Sequence, residues 1–346
     1  MKEMQFFDAV RYKGSKAYRL MMIVWFTVFC MGVCHRAQAQ QDAQFSQYMF
    51  NGLYINPAFA GYKQDVYLNA FYRSQWTGLE GAPQTFSLAA DGAVNDAKVG
   101  LGMLVLQDRI GAQSSFAMYG NYAYRLQIGD NENSRLAFGI GAGFVQNGLD
   151  GTKLHAVQSD DSYVPVGNQT VILPDARLGA LYTNERFFAG ISLDNVLSRV
   201  VSATKDKSIM TPVPIPHFYL TGGTIFDAND QVKIRPSFLI KDDFKGPTSL
   251  DINLFALLGE RVWIGGTYRT AVSLYNKPHL QNGLQKSNAM IGVVEFFATD
   301  RLRIGYAFDY SLTPLQNYSY GSHELSIGFY LRSANREPYF NKCYFN

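Results

Sequence analysis

The side chains best suited to proton transfer in this chain are its histidines, yet their surroundings do not resemble a catalytic site. A hydrolase in an outer membrane would need a histidine in contact with a serine or an aspartate. His155 lies near Asp160-Asp161 in the longest predicted loop, but nearness within a loop is weak evidence for a catalytic pair. None of the histidines after residue 40 has the spacing of a metal site; they are His155, His217, His279 and His323. The sequence therefore predicts a protein that is not an enzyme.

Two pairs of adjacent carboxylates offer the oxygen ligands that hard cations prefer. They are Asp160-Asp161 and Asp242-Asp243. Charged pairs in loops are usually solvated, and that is the interpretation we favour. No glycine-rich phosphate loop lies between a strand and a helix. We therefore expect no cofactor and no bound metal.

The element that recurs along the chain is an alternating strand, seen most clearly in Phe116–Leu126 (FAMYGNYAYRL). Every second residue is apolar or aromatic (Gly120 apart), and the residues between are mostly small or polar, so one face is oily and the other wet. Its length is close to the roughly 9–11 residues that a tilted strand needs to cross a hydrocarbon layer. Such a strand fits a soluble sandwich, or a membrane barrel whose oily face meets lipid.

The connections between strands favour the barrel. Fourteen strand-like segments lie within residues 65–332. Short gaps such as Asn184-Glu185 alternate with generally longer ones such as Val196–Pro216 and Ala271–Asn288, with one exception at residues 108–112. Outer-membrane barrels combine an even strand number with short periplasmic turns and long outer loops. The sequence therefore predicts an all-β transmembrane antiparallel barrel of about fourteen strands.

Two further patterns fit this prediction. The small residues Gly139, Gly141 and Gly143 share the wet face of their strand, where they would leave space in the lumen or admit a plug close to the wall. Aromatic residues near strand ends are candidates for the girdles at the two membrane interfaces. These residues are Trp76, Trp263, Tyr268 and Tyr310.

Residues 1–39 have the pattern of a secretory signal peptide. Lys13 and Lys16 precede an apolar run, and Ala37-Gln38-Ala39 gives the small-x-small cleavage pattern. The leader holds six of the 31 basic residues and two of the 28 acidic ones, so the rest is nearly neutral and nothing suggests nucleic-acid binding. Only Cys343 of the three cysteines remains, which leaves no intrachain disulfide.

Several stretches resemble one family. They are QFSQYMFNGLYINPAFAGY (44–62), YRSQW (72–76), GAPQT (81–85), GLGMLVLQDRIG (100–111) and YAYRL (122–126). In this order they resemble the PorP/SprF family of the type IX secretion and gliding motility apparatus, over essentially all of the mature chain. The resemblance implies an outer-membrane barrel that helps export or surface-anchor proteins with a C-terminal sorting domain. It implies no catalytic residues.

The implied partners are a secreted or surface-anchored protein, such as a large adhesin, components of the periplasmic ring or translocon, and outer-membrane lipid. The chain is then divided into a signal peptide (1–39), a segment packed in or against the barrel (40–64), the barrel (65–332) and a tail (333–346). Residues of the family-like motifs are candidates for partner contact or for a plug; they are Phe45, Tyr48, Phe50, Asn56, Pro57, Tyr72, Arg73, Trp76, Gly81 and Pro83.

Other functions remain open from the sequence. The barrel could be an outer-membrane channel for small apolar or sugar ligands, with an open or gated lumen. It could also be a purely structural barrel that steadies its neighbours. An open lumen in a barrel of this size would leak solutes, so the docking hypothesis requires a closed one. Gln44–Tyr62 is the segment expected to close it, from the periplasmic side.

Overall fold

A computed structural model describes residues 44–95, 97–129, 134–154, 165, 167–197, 201, 214–278, 280 and 287–331. Almost all of the regular structure is β-sheet. The strands are β1 Val66–Ser74, β2 Gln84–Val94, β3 Val99–Ile110, β4 Gln113–Gln127, β5 Arg135–Asp150, β6 Asn168–Thr183, β7 Phe187–Asp194, β8 His217–Thr224, β9 Phe226–Asn229, β10 Val232–Asp242, β11 Thr248–Leu258, β12 Val262–Val272, β13 Ser287–Phe297, β14 Leu302–Ser311 and β15 Ser322–Leu331.

The sheet closes on itself. Apart from β8 and β9, each strand pairs antiparallel with its neighbours in sequence, and β1 pairs with β15 from Val66↔Leu331 to Ser74↔His323. The segments β8 and β9 both pair with β10 and form one interrupted strand around Ile225. The barrel therefore has fourteen strands, and the predicted fold is confirmed. Among the described residues, no helix is long and apolar enough to cross a membrane.

The barrel wall is oily outside and polar inside. In β4, Tyr122 and Tyr124 are exposed, whereas Asn121, Ala123 and Arg125, which alternate with them, are buried. The same inversion holds around the sheet, where exposed Leu, Ile, Phe and Tyr side chains alternate with buried Asn, Asp, Arg, Ser and Thr. A soluble sandwich would bury the apolar face, so this distribution fits a wall that faces lipid.

One of the predicted girdle residues points the other way. Tyr268 and Tyr310 are exposed on the outer face, but Trp263 is completely buried in the lumen. The prediction for Trp263 was therefore wrong. Position near a strand end does not fix the face of a side chain; the parity along the strand does, and Trp263 shares parity with the inward-facing Thr267.

The two ends of the barrel differ. At one end, here called the turn end, connections are tight; Gly259 and Glu260 both have positive φ and form a two-residue turn that matches the twist of the flanking strands. At the other end, the loop end, connections are on the whole longer, although β3 and β4 are joined by Gly111-Ala112 alone. By the rule for outer-membrane barrels, the turn end is periplasmic and the loop end faces outward.

Strand height is uneven around the barrel. The strands β4, β5 and β6 have 15 or 16 residues, whereas β7 and β8 have eight each. The sequence pattern predicts a strand over Asp175–Thr183 that follows a long connection at residues 149–174, but β6 begins at Asn168, because β5 and β6 stay paired as far as Asp150↔Asn168. The loop predicted at residues 149–174 is correspondingly shorter.

The segment before β1 lies inside the barrel. It consists of short turns: the 3-10 turns Tyr48–Phe50 and Pro57–Phe59, and the single α-helical turn Gly52–Ile55 between them. Asn56 ends one turn and caps the next, since its Oδ1 accepts a hydrogen bond from Ala58 N at 2.8 Å. Nearly every residue of Phe45–Ala60 is buried. We call Gln44–Tyr62 the lumen segment.

Candidate functional site

The densest contacts of the lumen segment lie near the loop end. Arg73 on β1 donates from Nη1 to Ser46 Oγ at 2.7 Å. Its Nη2 lies 2.6 Å from Asp309 Oδ2 on β14, and its Nη1 lies 3.2 Å from Glu324 Oε2 on β15. The three charged side chains are almost completely buried. Three neighbouring strands are thus joined to each other and to the segment by one ionic cluster.

Glu324 binds the backbone of the segment directly. Its two carboxylate oxygens accept hydrogen bonds from Ser46 N at 2.7 Å and from Gln47 N at 2.9 Å. Hydrogen bonds to a charged acceptor are about twice as strong as neutral ones. In return, Gln47 Nε2 donates to Glu324 O at 3.2 Å, and Ser326 donates to Gln47 Oε1 at 2.8 Å. The start of the lumen segment is therefore hydrogen-bonded to β15 through the backbone of Ser46 and Gln47 and through the side chain of Gln47.

A second ion pair holds the first residue of the segment. Arg269 on β12 makes two hydrogen bonds of 2.8 Å to the carboxylate of Asp251 on β11. Its Nη1 also donates to Gln44 Oε1 at 3.1 Å. One step further on, the Tyr48 hydroxyl lies 3.0 Å from Asn253 Oδ1. These contacts place Gln44 at the loop end, because Arg269 and Asp251 lie close to the loop-end termini of their strands.

The opposite wall holds the middle of the segment. Arg177 on β6 donates to the carbonyls of Leu53 at 3.1 Å and Tyr54 at 2.5 Å, and pairs with Asp194 at 2.8 Å. Ser192 on β7 donates to Ile55 O at 2.6 Å. In the strand order, β6 and β7 lie across the barrel from β15 and β1. The lumen segment is therefore bound from both sides.

Asn56 extends these contacts to the wall backbone. Its Nδ2 lies 3.0 Å from the carbonyl oxygens of Ala180 on β6 and Ile191 on β7. Its Oδ1 is already used by Ala58 N. One buried amide therefore shapes the segment and attaches it to two strands.

Small residues let the segment approach the wall near the turn end. A Cβ atom on Gly139 of β5 would lie 2.2 Å from Ala58 N and 2.4 Å from Pro57 C, and both are backbone atoms. Further along, Arg125 donates to Ala60 O, and Gly61 N donates to Asp91 Oδ2 at 2.8 Å. The lumen segment thus passes from the loop end at Gln44 to the turn end, where it continues into β1.

Aromatic side chains fill the space between these polar contacts. Phe45 packs edge-on against Tyr54 and Phe71, with ring centroids 5.0 and 5.8 Å apart. Phe50 contacts Phe255 and Trp263 on the wall. Two small cavities border the segment, of about 30 and 20 Å³, room for one or two water molecules each. Phe45 and Phe50 therefore pack the segment against the wall on the side of β1, β11 and β12.

The ten candidate residues from the sequence separate into three groups. Six meet in the lumen: Phe45, Tyr48, Phe50, Asn56, Pro57 and Arg73. Tyr72 is exposed on the outer face. The last three belong to the β1–β2 connection, where Gly81 O accepts from Gly111 N and Pro83 O accepts from Gln75 N; they are Trp76, Gly81 and Pro83. Their roles in partner contact or in a plug stay predictions.

Sequence reasoning missed the wall residues that bind the segment. Asp309, Glu324, Arg177 and Arg269 are charged residues on the wet faces of strands whose other face is oily. A charge inside a membrane-spanning element is expensive unless it is paired. A charged residue on the polar face of a membrane-spanning strand was therefore the available signal, because it predicts an oppositely charged or hydrogen-bonding partner in the lumen.

The residues first considered for chemistry do not form a reactive site in the described chain. His217 Nδ1 lies 2.9 Å from Ile215 O, and His323 Nδ1 lies 2.7 Å from the Tyr306 hydroxyl. His155, His279 and Asp160-Asp161 lie outside the described residues. No three His, Cys, Asp or Glu side chains within the described ranges could share a metal ion.

The expectation that the Asp242-Asp243 pair is solvated is wrong for Asp242. It is buried rather than solvated, with both carboxylate oxygens 3.0 Å from Lys277 Nζ and a hydrogen bond from the Thr248 hydroxyl. Lys277 also donates to Gly246 O at 2.6 Å. This ion pair fastens the β12–β13 connection to the β10–β11 hairpin.

A closed antiparallel sheet with an apolar outer face, and with short connections at one end and mostly longer ones at the other, defines this protein as an outer-membrane-type β-barrel. The chain matches the family model described as type IX secretion system membrane protein PorP/SprF over residues 37–329, and it belongs to that family. The family recognised in the sequence is therefore confirmed. Membership makes the protein an outer-membrane component of type IX secretion, and both fold and family support an outer-membrane location.

Solved structures with a similar barrel share very little sequence. The CymD monoaromatic hydrocarbon channel has a TM-score of 0.48 and 11% identity, covering 84% of this chain and 94% of its own. A Pseudomonas aeruginosa FadL homologue has a TM-score of 0.45 and 9% identity, covering 82% and 94%. Values this low say nothing about what this chain binds or transports. No curated protein matches the chain.

Proposed function

We propose that this protein is a non-enzymatic barrel that helps export proteins carrying a C-terminal sorting domain, or holds them at the cell surface. It acts by docking rather than by conducting solutes. The observation that carries the proposal is the lumen segment, which is bound by side chains from opposite walls and fills the interior with aromatic and polar contacts. A segment that is bound across the lumen narrows the aqueous path and leaves the outer rim as a rigid surface for docking.

Family membership supports the part of this proposal that assigns the protein a role in secretion, here called the secretion half; action by docking is the docking half. The expected partners are a secreted or surface-anchored protein and the periplasmic ring or translocon components. A stable rim suits docking, because a surface that is already ordered loses little conformational freedom on binding. The ionic clusters that hold the lumen segment also join neighbouring strands, and so they stiffen that rim.

Conductance in planar bilayers tests the docking half. The wild-type protein is expected to give no steady channels, and a variant lacking Gln44–Tyr62 is expected to conduct. Steady wild-type channels would favour the alternative, an outer-membrane channel for small solutes. A deletion variant that folds but conducts no better than the wild type would show that the segment is not a plug.

Co-purification tests the secretion half. An epitope-tagged copy extracted from native outer membranes in mild detergent is expected to bring secretion components or a surface protein with it, as identified by mass spectrometry. A copy that repeatedly purifies alone would contradict the proposed partners, whatever the conductance shows.

A further inference from the structure

The uneven height of the barrel leaves one strand edge without a paired strand among the described residues. β6 has 16 residues, but its pairing with β7 covers only Leu178–Thr183. On its other side, β6 stays paired with β5 along its whole length, up to Asp150↔Asn168. Asn168–Leu173 therefore forms the rim above the short strand β7, and within the described ranges it pairs with β5 alone. We call Asn168–Leu173 the β6 edge.

The hydrogen-bonding direction of each residue follows from its neighbours. Asp150 N donates to Ala112 O on the β4 side, and Gly151 N donates to Gly167 O on the β6 side. In an antiparallel pair, the backbone N–H and C=O groups of successive residues point alternately toward and away from the partner strand. In β6, these groups point toward β5 at odd-numbered residues and away from β5 at even-numbered ones. Val196 N donates to Ala176 O, which agrees. The groups facing away on the β6 edge belong to Asn168, Thr170 and Ile172, and nothing in the described chain pairs with them.

Natural proteins usually protect such edges with charge, proline, a bulge or a covering element. The β6 edge (NQTVIL) carries no charged residue. Pro174 follows at the next position that faces away, where its missing N–H limits pairing toward the membrane. Ile172 is 62% exposed. The segment thus presents about 20 Å of strand edge that ends at a proline.

We propose that the β6 edge is a docking site for an extended, uncharged segment of an exported surface protein, which adds to the barrel wall as a strand above β7. The proposal rests on the proposed function for the kind of partner. The chemistry of the edge selects the shape of the ligand: alternating N–H and C=O groups bind another extended backbone, as in β-strand addition. No side chain of the β6 edge carries a charge that could pair with a charged ligand, so an uncharged segment fits it best.

A second copy of this chain fits less well. Two barrels in one membrane have the same direction along its normal, so two β6 edges related by a two-fold axis along that normal would meet in parallel. Parallel pairing is slightly weaker per residue than antiparallel pairing. A partner segment has no such restriction and can pair antiparallel.

Hydrogen exchange followed by mass spectrometry tests whether the edge is occupied. The probe is the backbone around residues 167–173, compared between purified protein and native outer membranes of the host. The amides of Asn168, Thr170 and Ile172 are expected to exchange freely in purified protein and about tenfold more slowly in native membranes, the effect of roughly one hydrogen bond each. Equal exchange in both preparations would overturn the proposal.

Photo-crosslinking from position 172 identifies the occupant. A crosslink to an exported surface protein is expected, and Thr170→Pro, which removes an N–H that faces away, should reduce it about tenfold. Thr170→Val is the matched control, since it changes the side chain but keeps the N–H, and it should crosslink like the parent. Crosslinks only to residues 202–213 of the same chain, or to a second copy, would overturn the proposal. If co-purification persists while crosslinking fails, the secretion role stands and only this site is wrong.

Discussion

At the scale of single residues, the lumen is held by a few buried charges whose partners come from distant parts of the sequence. Glu324 illustrates this arrangement: it accepts from the backbone of Ser46 and Gln47 and pairs with Arg73. Breaking a buried pair leaves an unpaired charge in an environment that solvates it poorly. Individual substitutions in this cluster should therefore have large effects.

Glu324→Gln keeps the shape of the side chain but removes its charge. Because Arg73 then loses a counter-ion and two backbone N–H groups lose a charged acceptor, we expect a loss of about 3 kcal/mol in the free energy of unfolding. The folded barrel's gel mobility in unheated detergent samples, followed against temperature, measures the change.

Asp300→Asn is the control for this substitution. Its partner Arg261 lies 3.9 Å away and both side chains are mostly exposed, so the effect should stay within about 0.5 kcal/mol. Equal shifts in the two variants would show that the buried cluster contributes no more than a surface pair.

A second residue-scale prediction concerns the buried amine in the loops. Lys277→Met should release the β12–β13 connection, because Asp242 and Gly246 O lose their common donor. We expect faster cleavage by chymotrypsin at the neighbouring Tyr275, followed by mass spectrometry. Lys153→Met is the control, since its pair with Asp150 is 3.7 Å long and largely exposed. Unchanged cleavage in Lys277→Met would mean that other contacts hold the loop.

At the scale of elements, the fit between the lumen segment and the wall depends on glycine at one close approach. In Gly139→Ala the new Cβ would meet the backbone of Pro57 and Ala58 at under 2.6 Å, so the segment must shift. We expect a measurable rise in planar-bilayer conductance, because the shifted segment fills the lumen less well.

Gly120→Ala provides the matched control. Gly120 faces outward on the adjacent strand β4, and an added Cβ would meet only Ala142 O at 3.9 Å, an ordinary contact. It should conduct like the parent protein. If Gly139→Ala also remains closed while folding normally, the segment does not seal the lumen at this point.

At the scale of the whole molecule, the path of the lumen segment predicts which side of the membrane each of its ends lies on. Gln44 lies near the loop end, and the segment descends from there to the turn end before β1 begins. A peptide tag inserted ahead of Gln44 should therefore be reached by antibody on intact cells. A tag in the Gly259-Glu260 turn should be reached only after the outer membrane is permeabilised. The reverse labelling pattern would contradict this orientation.

Much of the architecture could be predicted from the sequence, because it depends on local periodicity. The alternation in Phe116–Leu126 sets which face meets lipid, and the alternation of turn and loop lengths sets an even-stranded barrel. Both are properties of neighbouring residues, so no long-range contact is needed to recognise them. The family could likewise be identified from motifs that are continuous in the sequence.

Only the tertiary structure decided what meets inside the barrel. Ser46, Arg73, Asp309 and Glu324 are separated by up to 278 positions, and closure of β1 on β15 is what brings them together. The length of β6 was misjudged because it depends on pairing with β5, whereas the face of Trp263 follows from parity along its own strand and not from its position near the strand end. Alternation within a strand decides which of its side chains share a face, whereas pairing between strands decides which lumen side chains become neighbours.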